Sequence, residues 1–264
     1  MSKIAEAFNN KKAFIPFITC GYPDLETTKK IVKACADNGA ALIELGIPFS
    51  DPTAEGPVIQ GANIKALEGG VTTDKIFEMV REIRKEVTIP MVFMTYANVV
   101  YSYGMDDFCR ISAEVGMDGI ILPDVPYEEK EEFDPTCKKY GLDFISLIAP
   151  TSEERISMIA SEACGFIYVV SSLGVTGVRT EIKTDINSIV AKIRENTNVP
   201  CAVGFGISKP EQARKMSEKS DGAIVGSAII KIIAEHGRDS AAAVGEYVKS
   251  MVDAVNENAI ENIA

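Results

Sequence analysis

Short apolar runs rich in valine, isoleucine and phenylalanine recur along the whole chain. Runs of this length, bounded by glycine, proline or polar residues, predict buried β-strands. Their regular recurrence indicates one repeating structural unit. The eight predicted strands cover Ala13 to Thr19, Ala41 to Gly46, Met91 to Tyr96, Gly119 to Leu122, Asp143 to Ile148, Phe166 to Ser171, Cys201 to Gly204 and Ala223 to Gly226.

Segments between these runs repeat their apolar residues at the three- and four-residue spacing of a helix. The chain therefore alternates strand and helix from end to end. The predicted helices cover Leu25 to Asn38, Thr73 to Glu86, Asp106 to Val115, Glu128 to Tyr140, Ser152 to Ser161, Thr184 to Glu195, Glu211 to Lys219 and Ser240 to Glu257.

Strands that are apolar on both faces are typical of a parallel sheet covered by helices. Eight strand and helix units in 264 residues fit a single α/β domain over residues 1–264, a (β/α)8 barrel with a short extra helix at the N-terminus. The rival is an open doubly wound sheet. Its nucleotide-binding form carries a glycine fingerprint that the first strand-to-helix turn, Thr19 to Pro23, lacks. Periodicity alone does not decide whether the sheet closes.

The net charge of -11 and the pI of about 4.8 argue against nucleic acid or an anionic membrane as the main partner. No apolar run approaches the length that spans a membrane. The first residues, Met1 to Phe8, resemble a short amphipathic helix rather than a signal peptide. We therefore expect a cytoplasmic protein.

Six cysteines are scattered without a C-x-x-C pair, and the single histidine is His236 in a polar segment. This pattern predicts reduced thiols in the core, no disulfide and no metal site. A Ser-His-Asp triad and a histidine-rich metal site are disfavoured as well. Carboxylates remain as the available acid and base groups.

Two carboxylates, Glu44 and Glu55, lie at either end of one short segment. Glu44 ends an apolar run, where an ionisable side chain needs a specific reason to be buried. Glu55 follows the loop prolines Pro48 and Pro52. Each residue also has an alternative explanation without catalysis: a core salt bridge for Glu44 and a solvated loop charge for Glu55. As a pair at the end of a barrel strand, they predict acid-base chemistry.

The loops after the last two predicted strands are glycine-rich and lead into helices, at Gly204 to Ser208 and at Gly226 to Ala228. Glycine lets backbone amides approach an anion, and a helix N-terminus at Ser227 adds a favourable dipole. The sequence thus predicts a phosphate site built without lysine, unless the glycines only close tight turns. Four aromatic residues near the strand ends suggest a flat apolar ligand, although each alone could belong to the core: Phe17, Tyr96, Tyr168 and Phe205.

These segments together resemble the tryptophan synthase alpha subunit family over nearly the whole chain. The most specific match is the motif LGIPFSDPTAEGPVIQ from Leu45 to Gln60. Further matches are Pro16 to Thr19, Thr95 to Asn98, Pro123 to Pro126, Gly174 to Gly177, Gly204 to Ser208 and Gly226 to Ala228. The resemblance implies a (β/α)8 lyase that cleaves indole-3-glycerol phosphate to indole and D-glyceraldehyde 3-phosphate.

The resemblance also implies a role for each candidate residue. Glu44 would be the general acid-base residue, and Glu55 would accept the indole N–H and stabilise the charge on the ring. The segment from Leu173 to Asp185 would be a lid that carries Thr176. The four aromatic residues would surround the indole and glycerol portions, and the phosphate would lie against Gly177, Gly206, Gly226 and Ser227.

One position departs from the family pattern, because the family has aspartate where this chain has Glu55. The resemblance further implies an alpha2beta2 complex with a beta subunit that carries pyridoxal phosphate, contacted through the rim at Pro48 and Asp51. No cofactor is expected in this chain itself. Two alternatives stay open: a free-standing lyase, and a barrel with weakened catalysis that mainly activates its partner.

Overall fold

The computed structural model describes residues 2–9, 11–171, 185–204 and 206–261. Within these ranges, no helix combines the length and the apolar character needed to cross a membrane. The expectation of a single domain over residues 1–264 stays a prediction.

In the described part of the chain, nine strands form one sheet in which every neighbouring pair is parallel. The predicted boundaries hold for the first strand and for the strand at Cys201. The last strand begins and ends one residue earlier than predicted, and the others are shorter than predicted or divided. The strands are β1 Ala13–Thr19, β2 Ile43–Gly46, β3 Met91–Met94, β4 Gly119–Ile121, β5 Asp143–Phe144, β6 Ser146–Ile148, β7 Ile167–Val170, β8 Cys201–Gly204 and β9 Gly222–Val225.

The fifth predicted strand closes the sheet into a barrel. It is divided at Ile145 into β5 and β6, which lie at the two ends of the strand order β5-β4-β3-β2-β1-β9-β8-β7-β6. β5 pairs with β4, and β6 pairs with β7. Between them, the Ile145 amide donates to the Ile120 carbonyl at 2.9 Å. One chain segment therefore joins both edges, and the (β/α)8 barrel prediction is confirmed over the open sheet.

Helices surround the barrel and include two that were not predicted, at Pro57–Glu68 and Ala97–Tyr103. The helix expected to begin at Ser227 is present and extends to His236. The predicted helix from Glu128 to Tyr140 is instead a 3₁₀ helix followed by an α-helix that begins at Asp134. Pro135 has no amide hydrogen to continue a helix from the preceding turn and is accommodated only in a first helical turn. The α-helices are α1 Lys3–Glu6, α2 Leu25–Asp37, α3 Pro57–Glu68, α4 Thr73–Ile83, α5 Ala97–Tyr103, α6 Met105–Glu114, α7 Asp134–Lys139, α8 Glu153–Ser161, α9 Ile186–Asn196, α10 Pro210–Ser217, α11 Ser227–His236 and α12 Ser240–Glu261, with 3₁₀ helices at Tyr127–Glu132 and Gly237–Asp239.

The apolar strands are buried on both faces, as all seven residues of β1 illustrate. The predicted N-terminal helix, α1, packs at the amino end of the barrel. Its Ile4 is fully buried, and the Ile4 Cδ1 atom lies 3.0 Å from where a Cβ on Gly119 would be. With one end covered in this way, the carboxyl ends of the strands are left for ligand binding. The six cysteines are free thiols, and all but Cys164 are buried.

Candidate active site

A pocket at the carboxyl end of the barrel brings Glu44 and Glu55 together. Glu44 lies on β2 in register with Phe17 of β1, and both side chains line the pocket. About 470 Å³ of space free of protein atoms, part of it open to solvent, lies among these side chains. Its walls are mostly apolar: Phe17, Ile59, Met94, Tyr168, Ile207 and Ile224 join the two glutamates, Gly206, Gly226 and Ser227.

Glu44 is completely buried, and neither of its carboxylate oxygens has a hydrogen-bond partner among the described residues. Burial in such surroundings penalises the charged form and raises the pKa of Glu44 to about 8. A carboxyl group in this state is protonated at neutral pH but can lose its proton at little cost. The site therefore holds a group able to act as both acid and base.

Glu55 ends the irregular segment between β2 and α3 and is 6 % exposed. Its Oε2 accepts a hydrogen bond of 2.7 Å from Asn63 Nδ2, and its backbone carbonyl accepts one of 2.7 Å from Gln60 Nε2. Burial raises the pKa of Glu55 to about 7, and the bond from Asn63 partly opposes that rise. The predicted pair thus lines one pocket, with Glu55 held in place from α3.

Tyr96 supports the segment that carries Glu55 from outside the pocket lining. Its hydroxyl oxygen accepts a hydrogen bond of 3.1 Å from the Ala54 amide, and its ring lies 5.2 Å from that of Phe49. Burial and the nearby Glu55 raise the pKa of Tyr96. Of the four predicted aromatic residues, the structure brings Phe17 and Tyr168 into the pocket and places Tyr96 behind the loop.

The rings of Phe17 and Tyr168 occupy space that two glycines leave open. A Cβ on Gly46 would lie 2.5 Å from Cζ of Phe17, and a Cβ on Gly204 would lie 2.3 Å from the hydroxyl oxygen of Tyr168. Burial, and then the charge of Glu44, raise the pKa of Tyr168 well above its usual range. The hydroxyl therefore stays protonated beside Glu44 at any physiological pH.

Another part of the pocket wall is the N-terminus of α11, which begins at Ser227 with Gly226 as its N-cap. The first amides of a helix have no carbonyl partner within it, and the helix dipole favours an anion there. Gly206 lines the same region with a positive φ of 82°, a backbone conformation that favours glycine. No lysine or arginine is among the described residues that line the pocket. An anion bound here would meet oriented amides rather than a fixed positive charge.

The comparisons with known proteins agree with this geometry. The family model described as tryptophan synthase alpha chain matches residues 4–259. The chain belongs to this family. The tryptophan synthase alpha chain of Lacticaseibacillus casei is 49% identical over 256 residues, covering 97% of this chain and 96% of that one. That of Lactiplantibacillus plantarum is 46% identical over 264 residues and covers both chains completely.

Solved structures extend the likeness to the three-dimensional fold. The crystal structure of tryptophan synthase subunit alpha from Legionella pneumophila str. Paris matches with a TM-score of 0.88 at 38% identity, covering 98% of this chain and 99% of that chain. A structure of Mycobacterium tuberculosis tryptophan synthase matches with a TM-score of 0.88 at 31% identity, covering 97% and 98%. The barrel is therefore that of a tryptophan synthase alpha chain.

Three predicted site residues, Thr176, Gly177 and Phe205, lie outside the described residues. So does the predicted lid from Leu173 to Asp185, except for Asp185, which is the N-cap of α9. Sequence reasoning in turn missed Asn63 and the apolar walls Ile59 and Met94. The signal that could have found α3, and with it Asn63 and Ile59, is the pair Gly56-Pro57. Glycine before proline suits a helix start, since proline is favoured in the first helical turn.

Proposed function

We propose that this alpha chain cleaves indole-3-glycerol phosphate to indole and D-glyceraldehyde 3-phosphate, with Glu44 and Glu55 as the catalytic residues. The observation that carries the proposal is the pair of buried carboxyl groups lining one largely apolar pocket. Burial raises the pKa of both groups towards neutrality, where acid-base catalysis is most effective.

In this reaction Glu44 moves the protons. Protonation of indole C3 places positive charge on the ring, centred on the nitrogen. Removal of the proton from the hydroxyl on the adjoining carbon then lets that carbon form the aldehyde C=O. The electrons of the broken C–C bond return to the ring and restore indole. A pKa near 8 gives Glu44 access to both protonation states at neutral pH.

Glu55 would act on the ring nitrogen. As a carboxylate it accepts the indole N–H, and this bond strengthens when the ring becomes positively charged. An interaction that is stronger in the transition state than in the ground state accelerates the reaction. With a pKa of about 7, Glu55 is substantially ionised at neutral pH and above.

The remaining walls account for substrate binding. Phe17, Tyr168 and the aliphatic side chains suit the indole ring, and the amides at the N-terminus of α11 suit the phosphate. In these assignments, Tyr96 contributes only by supporting the loop that carries Glu55. The roles inferred for Thr176, Gly177 and Phe205 rest on the sequence resemblance.

The proposal extends to a beta subunit that carries pyridoxal phosphate, in an alpha2beta2 complex in the cytoplasm. What supports it is membership of the family. Of the two rim residues, Asp51 is exposed and Pro48 is buried, so Asp51 would supply the contact. Among the described residues, no group of acidic, cysteine or histidine side chains could hold a metal ion.

The test is an assay of indole release from indole-3-glycerol phosphate by the purified chain, alone and with its cognate beta subunit. We expect release by the parent, faster with the partner, and release at least a hundredfold slower from Glu44→Gln and Glu55→Ala. Thermal unfolding would show that the variants are folded. If both variants released indole at the rate of the parent, the two carboxylates would not be catalytic. Independent sedimentation of this chain and the beta subunit at micromolar concentration would refute the complex.

A further inference from the structure

Among the described residues, Asn63 is the one amide side chain with a hydrogen bond to a proposed catalytic carboxylate. It lies on α3 (Pro57–Glu68), is 3 % exposed, and donates from Nδ2 to Glu55 Oε2 at 2.7 Å. Ile59, four residues earlier, lines the pocket. Residues four apart share one face of a helix, so Asn63 and Ile59 face the site together.

Packing alone does not account for an asparagine at this position. Asparagine is a poor residue for a helix interior, and a buried amide costs free energy unless it is hydrogen-bonded. The other buried positions of α3 are Ile59, Ala62 and Ala66, which are all apolar. An alanine or leucine would serve the core better at position 63. The contact that the amide does make is with Glu55.

Glutamate also needs such a contact more than aspartate does. Its side chain has one more rotatable bond, so more conformational freedom must be removed before the carboxylate can meet a ligand reproducibly. The backbone of this segment is already fixed on both sides. The hydroxyl oxygen of Tyr96 accepts a hydrogen bond from the Ala54 amide, and the side chain of Gln60 donates one to the backbone carbonyl of Glu55. Asn63 adds a third point of attachment, at the carboxylate itself.

We propose that Asn63 is a positioning residue for the indole-releasing reaction, holding Glu55 by Oε2 so that Oε1 is presented to the N–H of the ring. This inference rests on the proposed function. It explains how a chain with glutamate in place of the family aspartate keeps a defined acceptor in the pocket. A misplacement of about 1 Å at such a group can cost on the order of a hundredfold in rate.

The proposal has a signature in the pH dependence of the reaction. Because Asn63 donates to the ionised carboxylate, it lowers the pKa of Glu55 against the effect of burial. Loss of the bond should therefore move the acid limb of the kcat/KM profile to higher pH. Within the described chain, the other titratable groups facing Glu55 are Glu44 across the pocket and Tyr96 behind the loop. Neither is changed by a substitution at position 63.

The experiment compares pH profiles of indole release for the parent, Asn63→Leu and Asn63→Asp, with Ile64→Ala as the control. Leucine has the branched shape of asparagine but is larger and has no donor. Aspartate adds a second carboxyl beside Glu55, and Ile64 is half-exposed on the same helix. We expect Asn63→Leu to lower kcat/KM about tenfold or more at neutral pH and to shift the acid limb up by about one pH unit. Asn63→Asp should shift it further, and Ile64→Ala should match the parent.

A double-mutant comparison separates positioning from a structural role. In a Glu55→Ala background, Asn63→Leu should change residual turnover by no more than about twofold, because its partner has gone. The inference would be overturned if the acid limb of both Asn63 variants lay at the pH of the parent. It would also be overturned if Asn63→Leu lowered turnover by the same factor with and without Glu55. A parent and an Ile64→Ala control that release no indole would instead refute the proposed function.

Discussion

Replacing Glu44 with glutamine should make the protein more stable at alkaline pH while it abolishes turnover. Glu44 is fully buried, and its oxygens have no partner among the described residues. Its charged form is therefore strongly disfavoured in the folded chain but is well solvated in the unfolded chain. Glutamine keeps the size of the side chain and removes its titration.

The size of the effect follows from the pKa. In the folded protein the pKa of Glu44 rises from 4.5 to about 8, so between these values the unfolded chain is ionised while the folded chain holds its proton. Stability is therefore lost as the pH rises through this window, because folded Glu44 binds the proton more tightly. The complete rise corresponds to about 5 kcal/mol, a large share of the usual stability of a folded domain.

Urea denaturation of the parent and of Glu44→Gln at several pH values between 4.5 and 8.5 would measure this effect. The buried amide of glutamine carries a cost of its own, but that cost does not change with pH. The difference in unfolding free energy should consequently grow by several kcal/mol in favour of the variant as the pH rises. A difference that stays flat across the window would show that Glu44 has an ordinary pKa, and the argument for its acid-base role would lose its physical basis.

Three further substitutions test the walls of the site. Gly204→Ala would place a Cβ 2.3 Å from the hydroxyl oxygen of Tyr168, so we expect a loss of about 1–3 kcal/mol in urea denaturation, and an unchanged midpoint would contradict the packing. Tyr96→Phe removes the acceptor for the Ala54 amide and should lower kcat about tenfold with a smaller change in KM, whereas parental kinetics would show that the loop needs no such support. Gly226→Val should weaken binding of glycerol phosphate at least tenfold in calorimetry, and an unchanged affinity would place the phosphate elsewhere.

Much of the barrel could be predicted because its strands are buried on both faces. The bounds of β1 and β8 coincide with the runs from which they were predicted. The division at Ile145 could not be predicted in this way. It depends on which neighbours the two halves of the segment pair with, and that pairing is a property of the closed barrel.

The candidate site was predictable where it depends on strand ends, as for Glu44 and Phe17. It was less predictable where it depends on α3. The buried positions of that helix are small or polar as well as aliphatic, so no strong apolar stripe indicates it. Asn63 was therefore missed. Tyr96 was placed on the correct rim, but its hydrogen bond to Ala54 depends on the path of a loop that the sequence pattern does not describe.

The pairing of β1 also bears on how the chain emerges from the ribosome. One neighbour of β1 is β2, which follows soon after it, and the other is β9, which includes Gly222 opposite Ala13. Until that distant segment has been synthesised, one edge of β1 lacks its partner and is open to association with other chains. Pairing across so long a stretch also slows folding. Chains truncated before Gly222 should accordingly aggregate, and chaperones should matter most in the interval before synthesis ends.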